Sequence, residues 1–150
     1  GETELVEELL PEVPAGAKAV APDGFGVLGL AVYFGRLDTA RALLEAGAHP
    51  DTSSANQFKV RPIHSAAAHR DPEASLEMVR LLLEWDADPN VAQAGGWTPL
   101  HQAAAHGREE VAKLLVEHGA SLKAKSDDGR TPLEMARAKK HEGLEAILGG

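Results

Sequence analysis

One run of residues recurs four times along this chain. The segments "DDGRTPLEMA" (127–136), "GGWTPLHQAA" (95–104), "KVRPIHSAA" (59–67) and "DGFGVLGLAV" (23–32) can be laid on one another so that Thr131, Thr98, Arg61 and Gly26 share a position. Going up the chain from Gly26, the spacings are 35, 37 and 33 residues. The first three units each lead into an apolar stretch: "LDTARALLEAGA", "LEMVRLLLEWDA" and "EEVAKLLVEHGA". A unit this small cannot bury its own apolar face, so the fold must come from stacking neighbours.

The third unit shows why the pattern makes two short antiparallel helices. Thr98 suits an N-cap, and Pro99 follows at the first helical position, where its missing N–H costs nothing. Leu100 points inward, and Ala103 and Ala104 are small enough for close helix approach. Gly107 ends the first helix by accepting a left-handed conformation. The second helix carries Val111, Leu114 and Leu115 as an apolar stripe at helical period, and Gly119 ends it as Gly107 ends the first. The polar link "SLKAKSDDG" is suited to an extended hairpin with a tight turn.

"DGRTPL", "WTPLHQAAAHG", "VAKLLVEHGA" and "ARALLEAGA" closely resemble the ankyrin repeat, from about residue 23 to about residue 148. The resemblance implies an all-α solenoid of helix–turn–helix repeats with β-hairpin links. The expected organisation is one domain over 1–150: a capping helix within 1–22, repeats over 23–55, 56–92 and 93–125, and a capping repeat over 126–150. Two irregularities stand out. Gly26 and Gly29 replace the capping residue and the histidine of the first unit, which predicts a looser first helix. "HRDPEAS" carries four extra residues, and Asp71-Pro72 is a helix-start signal; the insertion therefore reads as one added turn at the front of a second helix. The link "DTSSANQFKVR" is two residues longer than its counterparts and reads as a longer, more mobile hairpin.

The composition excludes several functions. The formal net charge is −8, with 23 acids against 15 bases, which argues against nucleic acid as the main partner. There are no cysteines, so thiolate catalysis and thiolate metal sites are absent. No apolar run reaches the ~18 to 20 residues of a membrane helix, and a cytoplasmic location is the default expectation. His64 and His101 hold a position that the resemblance makes structural, bonded to a neighbouring repeat's backbone. His69 and His106 are equivalent and are expected near each other, without the third ligand a metal would need. Ser65 beside His64 is no catalytic dyad, because adjacent helical residues point apart. No catalysis, cofactor or metal is expected.

The six aromatics avoid the leucine positions of the core. Phe25 and Trp97 share the position before the cap, with Val60 as a third occupant; Tyr33 and Phe34 match Ala105 and His106; Phe58 lies in the long hairpin. The resemblance implies that such positions line a concave face and contact partners. The expected binding set is therefore Phe25, Tyr33, Phe34, Phe58, Val60, His69, Trp97 and His106, with Phe25, Val60 and Trp97 forming an apolar ladder and Trp97 facing out. Phe25, Tyr33 and Phe34 have a second reading, as a patch on poor packing in the first unit. Trp85 reads as stem packing. The function expected is a monomeric, non-enzymatic protein-interaction module with an acid-rimmed groove, suited to a protein partner of basic character; the alternative is a regulatory or inhibitory subunit dedicated to one enzyme.

Overall fold

The computed structural model describes residues 26–149. The expected capping helix within 1–22, and Phe25, lie outside the described residues. The elements are α1 (Val27–Tyr33), α2 (Leu37–Glu45), α3 (Pro62–Ala67), α4 (Pro72–Glu84), α5 (Pro99–His106), α6 (Glu109–Glu117) and α7 (Pro132–Ala138), then a 3₁₀ turn (Glu142–Leu144) that runs into α8 (Glu145–Leu148). Within each unit the first helix packs on the second. Between units α1, α3, α5 and α7 form one layer and α2, α4, α6 and α8 the other.

Local chemistry accounts for the helix ends. The Thr98 hydroxyl accepts the His101 N–H, and Thr131 caps Glu134 in the same way, each followed by Pro at the first helical position. Gly107 (φ 68°) and Gly119 (φ 91°) close their helices in the left-handed region, where an L side chain is strained. Gly26 starts α1 without any side-chain cap. α4 has 13 residues against 9 in α2 and α6, so the insertion does form an added turn. Asp71 caps it by accepting the Glu73 N–H at 3.1 Å. Ser75, fully buried in the extra turn, donates to the Ala66 carbonyl at 2.6 Å and ties that turn to α3.

The core runs the length of the stack between the layers. Leu43, Ile63, Leu82, Leu100, Leu115 and Leu144 are wholly buried, and Ala31, Ala66, Ala67, Ala103, Ala104 and Ala136 let the first helices close on one another. The links turn as hairpins, closed by the backbone bonds Ser54 N–H to Val60 O, Gln93 N–H to Trp97 O and Ser126 N–H to Arg130 O. Successive hairpins also bond to each other, Ala94 N–H to Phe58 O and Asp127 N–H to Gly95 O, both 2.8 Å. None extends into a β-ladder among the described residues. The longer second hairpin is organised from within: the Asn56 carboxamide oxygen accepts the Ser54 hydroxyl and the Phe58 N–H.

Candidate functional site: a groove across the first helices

Two buried histidines tie the hairpins to the helices. The His64 Nδ1 accepts the Arg61 N–H at 3.1 Å, which leaves Nε2–H to donate to the Val91 carbonyl at 2.9 Å. His101 repeats the arrangement one unit on, with Nε2 donating to the Arg130 carbonyl at 2.8 Å. Each imidazole therefore belongs to one unit and donates to the next link. Burial disfavours the imidazolium form in both: His64 is held down at about 4, against the pull of its carbonyl partner, and His101 is also lowered.

The first-helix layer encloses a groove of about 660 Å³, within the size range of ligand sites. Two small residues, Ser65 of α3 and Ala68 just after it, line it, and Gln93 and Gln102, bonded to each other at 3.2 Å, line it as well. Tyr33, Phe34, Val60 and His69 of the expected binding set all face it. Tyr33 and Phe34 meet edge to face, with ring centroids 5.2 Å apart and planes at 87°. Phe34 is half-buried against the core, whereas Tyr33 is 59% exposed above it. Patching and presentation are thus divided between the two neighbours. His69 lies over the turn after α1: a Cβ on Gly35 would stand 3.0 Å from its Nε2.

The remaining expected residues lie elsewhere. Phe58 is 54% exposed at its hairpin tip, and His106 is exposed, donating from Nδ1 to the Gln102 carbonyl. Neither lines the groove. Trp97 does not face out as expected. It is half-buried beside its own hairpin glycine, with its indole Cδ1 3.2 Å from where a Cβ on Gly95 would stand and its ring 6.2 Å from that of His101. It covers the histidine that holds the next hairpin, so Val60 and Trp97 do not make one ladder in the groove. Trp85, read as stem packing, is 38% exposed at the end of α4. His69 and His106 are joined indirectly by Arg108, whose guanidinium donates to the carbonyls of His69, Arg70 and His106. That clamp was not evident from the sequence, although a lone arginine between two helices, opposite the carbonyl end of the preceding unit, is a signal that could have found it.

Charge is unevenly divided between the layers, and among the described residues no Asp or Glu lines the groove, which was expected to be acid-rimmed. Helices α1, α3 and α5 contain no Asp, Glu, Lys or Arg. The outer helices hold the acids: Asp38 and Glu45 against Arg41 on α2, Glu73, Glu77 and Glu84 against Arg80 on α4, and Glu109, Glu110 and Glu117 against Lys113 on α6. Among the described residues Arg70 is the one permanently charged side chain lining the groove, and Lys59 and Arg61 are the chain neighbours of the lining Val60. Helical period produces the sorting, because the second helices of a stack turn their polar stripe outward. Among the described residues no three His, Asp or Glu side chains gather as a metal site, and no helix is long and apolar enough to cross a membrane.

A family model described as ankyrin repeats (3 copies) matches residues 1–93 and 63–150. The chain is 32% identical to protein phosphatase 1 regulatory subunit 27 of Homo sapiens over 71% of this chain and 70% of that protein. It is 34% identical to cyclin-dependent kinase 4 inhibitor B of Rattus norvegicus, over 81% of this chain and 88% of that one. Identity to the human cyclin-dependent kinase inhibitor 2A is 33%, over 90% and 82% of the two chains.

Proposed function

Because the chain belongs to the ankyrin-repeat family, a family of protein-interaction modules, we propose that it is a non-catalytic module that binds a protein partner in the groove of its first-helix layer. One observation carries this reading: an open groove of about 660 Å³ with an uncharged floor and a largely exposed tyrosine above it. A soluble chain gains nothing in stability from an exposed aromatic, and exposed aromatics beside a rigid concavity are where binding energy concentrates. Tyr33, Phe34, Val60 and His69 form the centre of the proposed contact, with Phe58, Trp97, His106 and Phe25 as residues of its margin. The units proposed are a capping helix within 1–22, repeats over 23–55, 56–92 and 93–125, and a capping repeat over 126–150. The same reading makes the module a cytoplasmic monomer that needs no cofactor or metal.

A second reading, a subunit dedicated to regulating or inhibiting one enzyme, is favoured by the relatives, named as a phosphatase regulatory subunit and as kinase inhibitors. One cross-linking experiment addresses both readings. A photoreactive phenylalanine replaces Tyr33 and, in a control, Glu77 of the acidic outer face, and both proteins are irradiated in lysate from the source. A protein adduct formed from position 33 but not from 77 is expected. A single stoichiometric adduct favours the dedicated subunit, and several favour a general module. Equal labelling from both positions, or none from 33, refutes the groove as the binding surface.

A further inference from the structure

We propose that the segment received by this groove is acidic: a stretch of a protein partner in which Asp or Glu residues flank an apolar side chain. The inference rests on the binding reading above and adds the chemistry of the occupant.

Three observations lead to it. The floor is uncharged and apolar in part, with the Phe34 edge, Val60 and Ala68 facing a space large enough for more than one side chain. Such a floor selects an apolar anchor. Among the described residues, the charged side chain that lines it is basic, and so are the chain neighbours of Val60. Arg70 lines the groove and is exposed, Lys59 and Arg61 flank Val60 on the hairpin side, and Arg108 stands behind His69 and Arg70 with its guanidinium on their carbonyls. The nearest acid in sequence, Asp71, keeps its charge beside Arg70 while capping α4, and Asp51 on the same hairpin segment accepts the Asp88 N–H at 3.1 Å at the base of the link. Finally, α2, α4 and α6 of the opposite layer carry eight acids against three bases. A net charge of −8 is a sum over the whole chain and does not describe the side chains that line the groove. Charge within a Debye length of about 8 Å governs a docked segment, and charge beyond it is largely screened.

The sorting also separates an acidic peptide from nucleic acid, which carries negative charge as well. A nucleic-acid strand needs a continuous basic track along its phosphates. Here the bases flank an apolar hollow at isolated points, and the last hairpin interrupts them with Asp127 and Asp128. A short segment with an apolar anchor and a few carboxylates fits; a long polyanion does not.

The test uses three fluorescent probes on the full chain: a peptide with a central Leu-Phe pair flanked on both sides by Glu, its counterpart with Lys for every Glu, and single-stranded oligothymidylate. The Glu peptide is expected to bind and to shift the amide resonances of Tyr33, Val60 and Ser65. Its affinity should fall several-fold between low and physiological salt, and roughly tenfold or more in Lys59→Glu/Arg70→Glu. Both residues are exposed, so the double variant should melt with the parent, and Glu77→Lys on the outer face should leave the affinity unchanged. Tighter binding of the Lys peptide or of oligothymidylate at the same resonances would overturn the proposal, as would an affinity indifferent to the double charge reversal. So would a salt-sensitive rise in mass with concentration that the reversal abolishes, since the occupant would then be the acidic outer face of a second copy. The cross-link from position 33 distinguishes the two levels of inference: an adduct with a basic segment overturns this one alone, and no adduct overturns the binding reading beneath it.

Discussion

Lowering the pH from 7 to 5 should destabilise this protein through His64, and the size of the effect can be worked from its surroundings. The imidazole is 1% exposed, and burial holds its pKa at about 4, against an ordinary value of 6.5. The folded pKa is depressed, so the unfolded chain takes up the proton first, and stability falls as pH falls. The contribution is fully present above about 6.5, drains between 6.5 and 4, and is constant below. At pH 5 the unfolded imidazole is nearly all protonated and the native one nearly all neutral, a difference of about 2 kcal/mol relative to pH 7. For a domain of this size that is a sizeable share of the total stability. His101 acts in the same direction. The assay is urea unfolding followed by circular dichroism at both pH values, in the parent and in His64→Gln, whose amide can still donate toward Val91 but does not titrate. Gln will cost stability at pH 7; the informative quantity is the change from pH 7 to 5, expected to be about 2 kcal/mol smaller in the variant. Equal changes in the two proteins would mean that His64 titrates normally in the folded state and that its bond to Val91 does not exclude the proton.

Leu115→Ala should cost about 2 to 5 kcal/mol, as for a wholly buried leucine; chemical denaturation measures it, and a neutral result would contradict the two-layer core. Gly119→Ala should cost about 1 kcal/mol in the same assay, since φ is 91° and nothing stands within 4 Å of the added methyl; Gly119→Asn should cost less, as Asp86 already holds the equivalent position at φ 65°. Trp97→Ala should destabilise by about 1 to 2 kcal/mol, more than an exposed site would, and should raise the His101 pKa, read by NMR titration, because the indole that helps exclude water from that ring is gone. Removing residues 127–150 should lower the thermal midpoint sharply, since Met135, Leu144 and Leu148 then leave the core.

The helix pairs were legible because their signals are local. Thr98-Pro99, Asp71-Pro72, Gly107 and Gly119 each set a terminus through their own backbone or side chain, and the four-residue insertion lengthened the helix whose start it carried. The structural role of His64 and His101 was legible from their place in the repeated run. The site was only half legible. Tyr33, Phe34, Val60 and His69 come together, but Trp97 turns onto His101, and Trp85 is left exposed. Which way a side chain at a helix boundary turns depends on the neighbouring unit, and one unit's residues do not specify it. Charge sorting was present in the sequence all along. Written in register, the first-helix runs "VLGLAVY", "PIHSAA" and "PLHQAAAH" hold no formal charge, whereas a net charge summed over the chain erases that order.

Gly29 stands where His64 and His101 stand in the next two units, so α1 offers no imidazole to the following link. The stack is riveted at two successive joints and lacks that rivet at the one before. The groove lies across this same joint, with Tyr33 and Phe34 on one side and α3 on the other. Opening of the first unit therefore dismantles half of the groove, and amides of α1 and α2 should exchange with solvent ahead of those in α5 and α6. A segment seated across the joint would supply the missing fastening from outside, and its binding free energy would appear as protection of the first unit against exchange. Recognition and local folding would then be a single equilibrium, with affinity limited by how often the first unit is already in place.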